Sequence, residues 1–228
     1  MPCTHKFFGH NLHQNGAFGL IPNWDFKTLI IGTFNPENIW ADENMAGYFY
    51  GRRRNYFWSA IGQFGILQDI ERNNTIHQFQ FLQEKKIGLT DLLIRIEDAD
   101  ITNLNHVAKI KTYGDKEIES FHDFFWNTEQ IINTILNKKV EAVYFTWLGK
   151  SNRIRNPFNS FENQMRIVED FCDNNGILNC RLYTPSGQGL RSGTPRINKL
   201  INQWYNHNGG QEFPFRSPNF DINNYPFQ

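Results

Sequence analysis

A chain of 228 residues that is 39% hydrophobic, 20% charged and 15% aromatic has enough apolar mass to bury a core, which excludes disorder and collagen-like repeats. Its 23 basic and 23 acidic side chains cancel, so net charge alone offers no general attraction for nucleic acid or an anionic membrane. No apolar run nears the roughly 20 residues that span a bilayer, the N-terminus lacks a secretory pattern, and Cys3, Cys172 and Cys180 make neither a disulfide framework nor an iron–sulfur site, so a cytoplasmic protein without metal or cofactor is expected.

In chain order, residues 28–33 read as a buried strand rich in β-branched side chains, followed by helical patterns over 56–68 and 76–84. A second strand is expected at 86–89, a long helix at 118–136, and a third strand at 141–147. A helix over 158–175, a fourth strand at 181–184 and a last helix over 194–207 complete the pattern. Residues 209–228, with Pro214, Pro218, Pro226 and four phenylalanines, read as an irregular tail pinned by its aromatics to a single domain spanning 1–228. Strands that alternate with helices predict a parallel sheet covered on both faces, an α/β/α sandwich on four strands. Ligands of such sheets bind outside the carboxyl ends of the strands, which directs attention to the residues that follow each strand.

After the first strand comes Gly32-Thr33-Phe34-Asn35-Pro36-Glu37, and after the second Thr90-Asp91. Asn35-Pro36 suits a plain turn, but a carboxamide held at a strand end can also orient a water molecule or bond a base. The run Tyr48-Phe49-Tyr50-Gly51-Arg52-Arg53-Arg54-Asn55-Tyr56-Phe57-Trp58 joins aromatics to three consecutive arginines. Phe57 and Trp58 read as core residues of a helix capped by Asn55, whereas Tyr50 beside arginines suits a stacked base with phosphates nearby. The small, acid-free loop Thr184-Pro185-Ser186-Gly187-Gln188-Gly189-Leu190-Arg191 is either a simple connection or a phosphate-binding concavity of exposed backbone N–H groups. No Walker or dinucleotide-binding glycine pattern accompanies it.

Windows 44–68, 142–161 and 174–211 are poor in acids but carry Arg52, Arg53, Arg54, Lys150, Arg153, Arg155, Arg181, Arg191, Arg196 and Lys199. Each run alone reads as a solvated face; converging, they would bind phosphate. The seven histidines include no His-x-x-x-His pair and read as surface or satisfied core residues, and Glu97, Asp98 and Asp100 read as an acidic patch rather than a calcium loop.

Together these segments resemble the uracil-DNA glycosylase superfamily, nearest its mismatch-specific/thymine-DNA and hypoxanthine-DNA branches. Gly32-Thr33-Phe34-Asn35-Pro36 looks like the Gly-x-Asn-Pro-Gly motif that ends the first strand there, with one extra residue before Asn35 and Glu37 in place of the last glycine. Tyr50 to Trp58 is similar to an aromatic-x-His-Pro-x-Asn-x-Phe-Trp block in which Arg52-Arg53 replace His-Pro. Gly88-Leu89-Thr90-Asp91, Leu148-Gly149-Lys150 and Thr184-Pro185-Ser186-Gly187 resemble three further motifs in the same order, the last without its histidine.

The resemblance implies a monofunctional DNA glycosylase that hydrolyses the N-glycosidic bond of a deaminated or mismatched base, acting as a monomer on DNA with no cofactor. It implies catalytic roles for Asn35 and Asn55 and a base pocket made of Gly32, Thr33, Phe34, Tyr50 and Ser186. DNA contacts would come from Arg52, Arg53, Arg54, Lys150, Gly187, Gln188 and Arg191. A non-catalytic nucleic-acid-binding module on this fold, and an α/β enzyme that processes free nucleosides, remain as alternatives.

Overall fold

A computed structural model describes residues 1–8, 20–40, 46–66, 68–149, 159–187, 190, 195–207, 215 and 217–228. At its centre are four parallel strands, β2 (Thr28–Gly32), β3 (Ile87–Asp91), β6 (Ala142–Phe145) and β7 (Leu178–Arg181), which lie in the order β3-β2-β6-β7. Side chains alternate across this sheet as strand geometry requires. Ile30, Leu89, Ala142 and Tyr144 enter one core with α1 (Phe57–Gly65), α2 (Thr75–Glu84) and α7 (Arg196–His207). Leu29, Ile31, Val143 and Phe145 enter a second with α3 (Leu104–Lys111), α4 (Asp115–Ile118), α5 (Thr128–Lys138) and α6 (Phe161–Asn174). Two apolar cores on opposite faces make this an α/β/α sandwich, as the alternation of strands and helices predicts.

The fourth strand lies three residues earlier than 181–184. At this edge position its side chains are only half covered, so the apolar signal is weak and the sequence Leu178-Asn179-Cys180-Arg181 does not read as a strand. The helix expected over 118–136 is divided. Its middle forms β5 (Phe124–Trp126), which joins β1 (Cys3–Thr4) and β4 (Leu93–Ile96) in a small antiparallel sheet of order β1-β4-β5 that the sequence does not announce. Three consecutive aromatics favour a strand over a helix here. Asn127 donates to Thr90 Oγ1 at 3.0 Å and to the Asp91 carbonyl at 2.9 Å, which ties the start of α5 to the end of β3. Helix α3 buries only Ile110, and the Asn103 side chain caps it by accepting from the Asn105 and His106 amides.

Arg181, counted in the sequence among phosphate-binding candidates, points into a carboxylate cluster instead. Its guanidinium bonds Glu169 at 2.5 Å and Glu162 at 2.9 Å, and Glu162 is nearly buried. An acid-free window in sequence is therefore not acid-free in space. Arg181→Ala would leave Glu169 without its cation and Glu162 with Arg166 alone, 3.1 Å away, and a loss of about 1–3 kcal/mol in urea unfolding is expected.

Beyond α7, Phe215 packs edge-on against Phe64 and Tyr144, and Tyr225 stacks on Phe220 while its hydroxyl donates to Gln63 Oε1 at 2.6 Å. Among the described residues no helix is long and apolar enough to cross a membrane.

Candidate active site

Chain direction brings the carboxyl ends of β2, β3 and β6 to one edge of the sheet, and there the structure has a cleft of about 550 Å³. Gly32, Thr33, Phe34, Asn35, Tyr50, Arg52, Asn55 and Ser186 all line it. They come from three stretches of sequence.

Two of those stretches dock on each other directly. The Tyr56 amide donates to the Pro185 carbonyl at 2.9 Å, the Gly187 amide to the Arg54 carbonyl at 2.8 Å, and Asn55 and Ser186 form an antiparallel bridge. Asn55 Oδ1 accepts from the Phe57 amide at 2.9 Å, one residue short of a helix cap, so its Nδ2 is the group with capacity for a ligand.

The third stretch leaves β2 and stays extended. The Lys6 amide donates to the Asn35 carbonyl at 2.8 Å and the Glu37 amide to the Thr4 carbonyl at 2.9 Å, so Asn35-Pro36 pairs with the N-terminal segment rather than closing a turn. The Asn35 side chain then reaches across the strand ends: Nδ2 donates to Asp91 Oδ2 at 2.7 Å, and Oδ1 lies 3.4 Å from the Arg52 guanidinium.

Asp91, marked in the sequence by its place after the second strand but given no role there, sits at the floor of the cleft. Chain flow explains its position. Leu92 and Leu93 donate to the Gly32 and Thr33 carbonyls, so the chain passes from β3 into β4 without leaving β2, and Asp91 lies where the two sheets part. A Cβ at Gly32 would overlap Asp91 Oδ1 and come within 2.9 Å of the Tyr50 hydroxyl, so only glycine lets the carboxylate lie over the strand. His5, one of seven histidines read from the sequence as surface or satisfied core residues, is buried and donates from Nε2 to Asp91 Oδ2 at 2.8 Å. The strand-end rule reaches Asp91; no signal reaches His5, whose partner is 86 residues away.

Tyr50 has a left-handed backbone (φ 58°), a conformation costing roughly 1–3 kcal/mol outside glycine. The ring lies flat on Phe57, with centroids 4.1 Å apart and planes 13° from parallel, and its hydroxyl pairs with Thr146 Oγ1 at 3.0 Å. Burial, and next the Asp91 carboxylate, hold the phenol far above its ordinary range, so it stays neutral. Phe57 backs one face of a half-buried ring that lines the cleft.

A further part of the lining is not singled out in the sequence as part of a site. It consists of Tyr113 and Gly114 from the connection between α3 and α4, Asp115, Lys116 and Glu117 of α4 itself, and Thr146 and Trp147 after β6. Arg52 leaves the surface expected of a phosphate contact: its guanidinium lies over the Tyr113 ring, 3.1 Å from the centroid, inside the cleft. Arg53 and Arg54 are exposed and do not line it, and Gly187 is buried and does not line it either. Lys150, Gln188 and Arg191, like Arg153 and Arg155, lie outside the described residues. Among the described residues no three His, Cys, Asp or Glu side chains cluster as metal ligands. Burial pushes the Cys172 and Cys180 thiols up to about 12 and about 11, and Cys3 further, so none is a nucleophile at neutral pH.

No protein-family model matches this chain, and no curated protein does. Among solved structures it is similar to the solution NMR structure of a putative uracil DNA glycosylase from Methanosarcina acetivorans, with 19% sequence identity and a TM-score of 0.41 over 78% of this chain and 88% of that one.

Proposed function

We propose that this chain is a monofunctional DNA glycosylase that hydrolyses the bond between deoxyribose and a deaminated or mismatched base of the uracil or hypoxanthine class. The observation that carries the reading is a carboxylate and a carboxamide, Asp91 and Asn35, bonded to each other on the floor of a cleft walled by a flat aromatic ring, Tyr50. It is supported by the order of motifs along the chain and by their meeting at the strand ends.

The chemistry suits these groups. Departure of the base breaks the C1′–N bond, leaves its electron pair on the base and puts positive charge on the sugar; water then forms the C1′–O bond and gives up a proton. Such a reaction needs electrostatic stabilisation and positioning more than a strong base. The Asp91 carboxylate stabilises the cationic sugar and, with Asn35 Oδ1, orients the water. The Tyr50 ring, which lines the cleft, stacks on the base, and Asn55 Nδ2 and Arg52 donate to the base as it becomes anionic. Extrusion of the nucleotide costs a few kcal/mol, least for mispaired bases, which favours damaged sites. Arg53, Arg54, Lys150, Gln188 and Arg191 would hold the flanking phosphates.

Tyr50→Ala should weaken binding of the extruded base by about 1–3 kcal/mol, the usual worth of one base stacked on an aromatic ring, while leaving affinity for undamaged duplex nearly unchanged. Titration of mismatched and fully paired duplexes measures both.

The test of the function is a panel of labelled oligonucleotides carrying uracil, hypoxanthine and other deaminated bases opposite each partner, scored by alkaline cleavage at abasic sites. Excision from at least one is expected. Asp115 and Glu117 on the cleft wall would repel phosphate, which favours a free nucleoside as the second reading. Base release from nucleosides but not from DNA would establish it, and binding without release would indicate a non-catalytic module.

A further inference from the structure

We infer that His5 is a positioning residue for the cleft, holding Asp91 through a fixed tautomer so that Oδ1 is the carboxylate oxygen offered to a ligand. The inference rests on the glycosylase reading for its kinetic consequence only.

The imidazole is buried, and both its nitrogens are engaged. The Phe7 amide, which can only donate, points at Nδ1 from 3.0 Å, so Nδ1 is an acceptor and the ring proton resides on Nε2. That proton is donated to Asp91 Oδ2 at 2.8 Å, and Asn35 Nδ2 donates to the same oxygen at 2.7 Å. Two donors converging on Oδ2 fix the plane of the carboxylate and leave Oδ1 over Gly32. The rings of Phe7, Phe34 and Phe49, with centroids 5.4, 5.6 and 5.8 Å from that of His5, enclose the imidazole in an apolar cage. Phe34 lines the cleft and His5 does not, so His5 acts through Asp91 and not on a substrate.

The backbone of the N-terminal segment keeps the ring in place. The His5 amide donates to the Ile94 carbonyl at 2.7 Å, and His5 bridges Pro36. Residues 3–6 are thereby clamped between β4 and the Asn35 stretch, and this segment supports Asp91 and Asn35 without itself lining the cleft.

Two measurements separate this assignment from the function it serves. Long-range 1H–15N NMR of the wild-type protein labelled with 15N-histidine should show His5 as the Nε2–H tautomer, with a signal that shifts in Asp91→Asn. An Nδ1–H tautomer, or a signal indifferent to Asp91→Asn, overturns the assignment whatever the activity. In single-turnover excision, His5→Phe should lower the maximal rate on the order of 100-fold, as expected when a reacting group is misplaced by about 1 Å, with little change in the DNA concentration giving half-maximal rate. His5→Gln, whose amide still donates to Asp91, should recover most of the rate even where its thermal stability matches that of His5→Phe. Equal rates for wild type and His5→Phe, or equal losses for both variants, overturn the positioning role. If wild type excises nothing, the glycosylase reading fails, and the NMR arm alone decides the assignment of His5.

Discussion

Asn35→Ala is expected to lower single-turnover excision on the order of 100- to 1000-fold, the usual consequence of losing one preorganised hydrogen-bonding group from a water-poor site. Duplex affinity should change little, because phosphate contacts carry most of it. The substitution removes two things at once: an acceptor, Oδ1, from the cleft, and the Nδ2 donor that helps fix Asp91. Asn35→Asp separates them. Its carboxylate keeps an acceptor in place but sets a second negative charge within hydrogen-bonding distance of Asp91, so the two carboxylates would share a proton or move apart. Rates measured for wild type and both variants on the best substrate decide the role of the amide. Equal rates for wild type and Asn35→Ala would remove it from the mechanism.

The second large effect is expected at Asp91, where charge and hydrogen bonding can be told apart. Asp91→Asn preserves the shape, and its amide oxygen can still accept from His5 and Asn35, so stability should hold within about 1 kcal/mol. What disappears is the negative charge proposed to offset the developing sugar cation, and excision should fall roughly 100- to 1000-fold. Asp91→Ala also leaves the buried Nε2–H of His5 and an N–H of Asn35 without an acceptor, at about 1–3 kcal/mol each. Urea unfolding of the two variants beside their excision rates measures this difference. Full activity in Asp91→Asn would mean that the carboxylate is structural.

What the sequence reveals of this molecule follows the range of the interactions concerned. Buried parallel strands such as 28–32 declare themselves through β-branched runs, and the strand-end rule leads from them to Gly32, Asn35 and Asp91. Residues 48–58 and 184–187 stand out by composition, and their docking through Tyr56 and Gly187 brings Tyr50, Asn55 and Ser186 to one cleft. The antiparallel sheet is hidden because β1 is two residues long and β5 three. Its pairing sets Cys3 and Phe124 on either side of Ile96, and local periodicity cannot register partners so far apart in the chain. The same distance hides His5, which alone looks like any core histidine. Arg181 misleads for the opposite reason: its local window is free of acids, and the two carboxylates that neutralise it come from the helix packed beside its strand. Arg52 is legible as a cation but not as part of the cleft, because its place there depends on Tyr113 in a distant loop.

The central claim is that the cleft at the strand ends cleaves an N-glycosidic bond in DNA, and mass spectrometry of a single-turnover reaction tests it most directly. A duplex bearing the best base from the panel is incubated with excess protein, and the oligonucleotide, the small-molecule fraction and the protein are each weighed. A glycosylase should yield an unbroken strand that has exchanged its base for a hydroxyl, an equimolar amount of free base, no adduct on the protein, and loss of nearly all product over the same interval in Asp91→Asn. Intact DNA throughout, a cleaved strand with its base still attached, or product formation that persists undiminished in Asp91→Asn would contradict the claim.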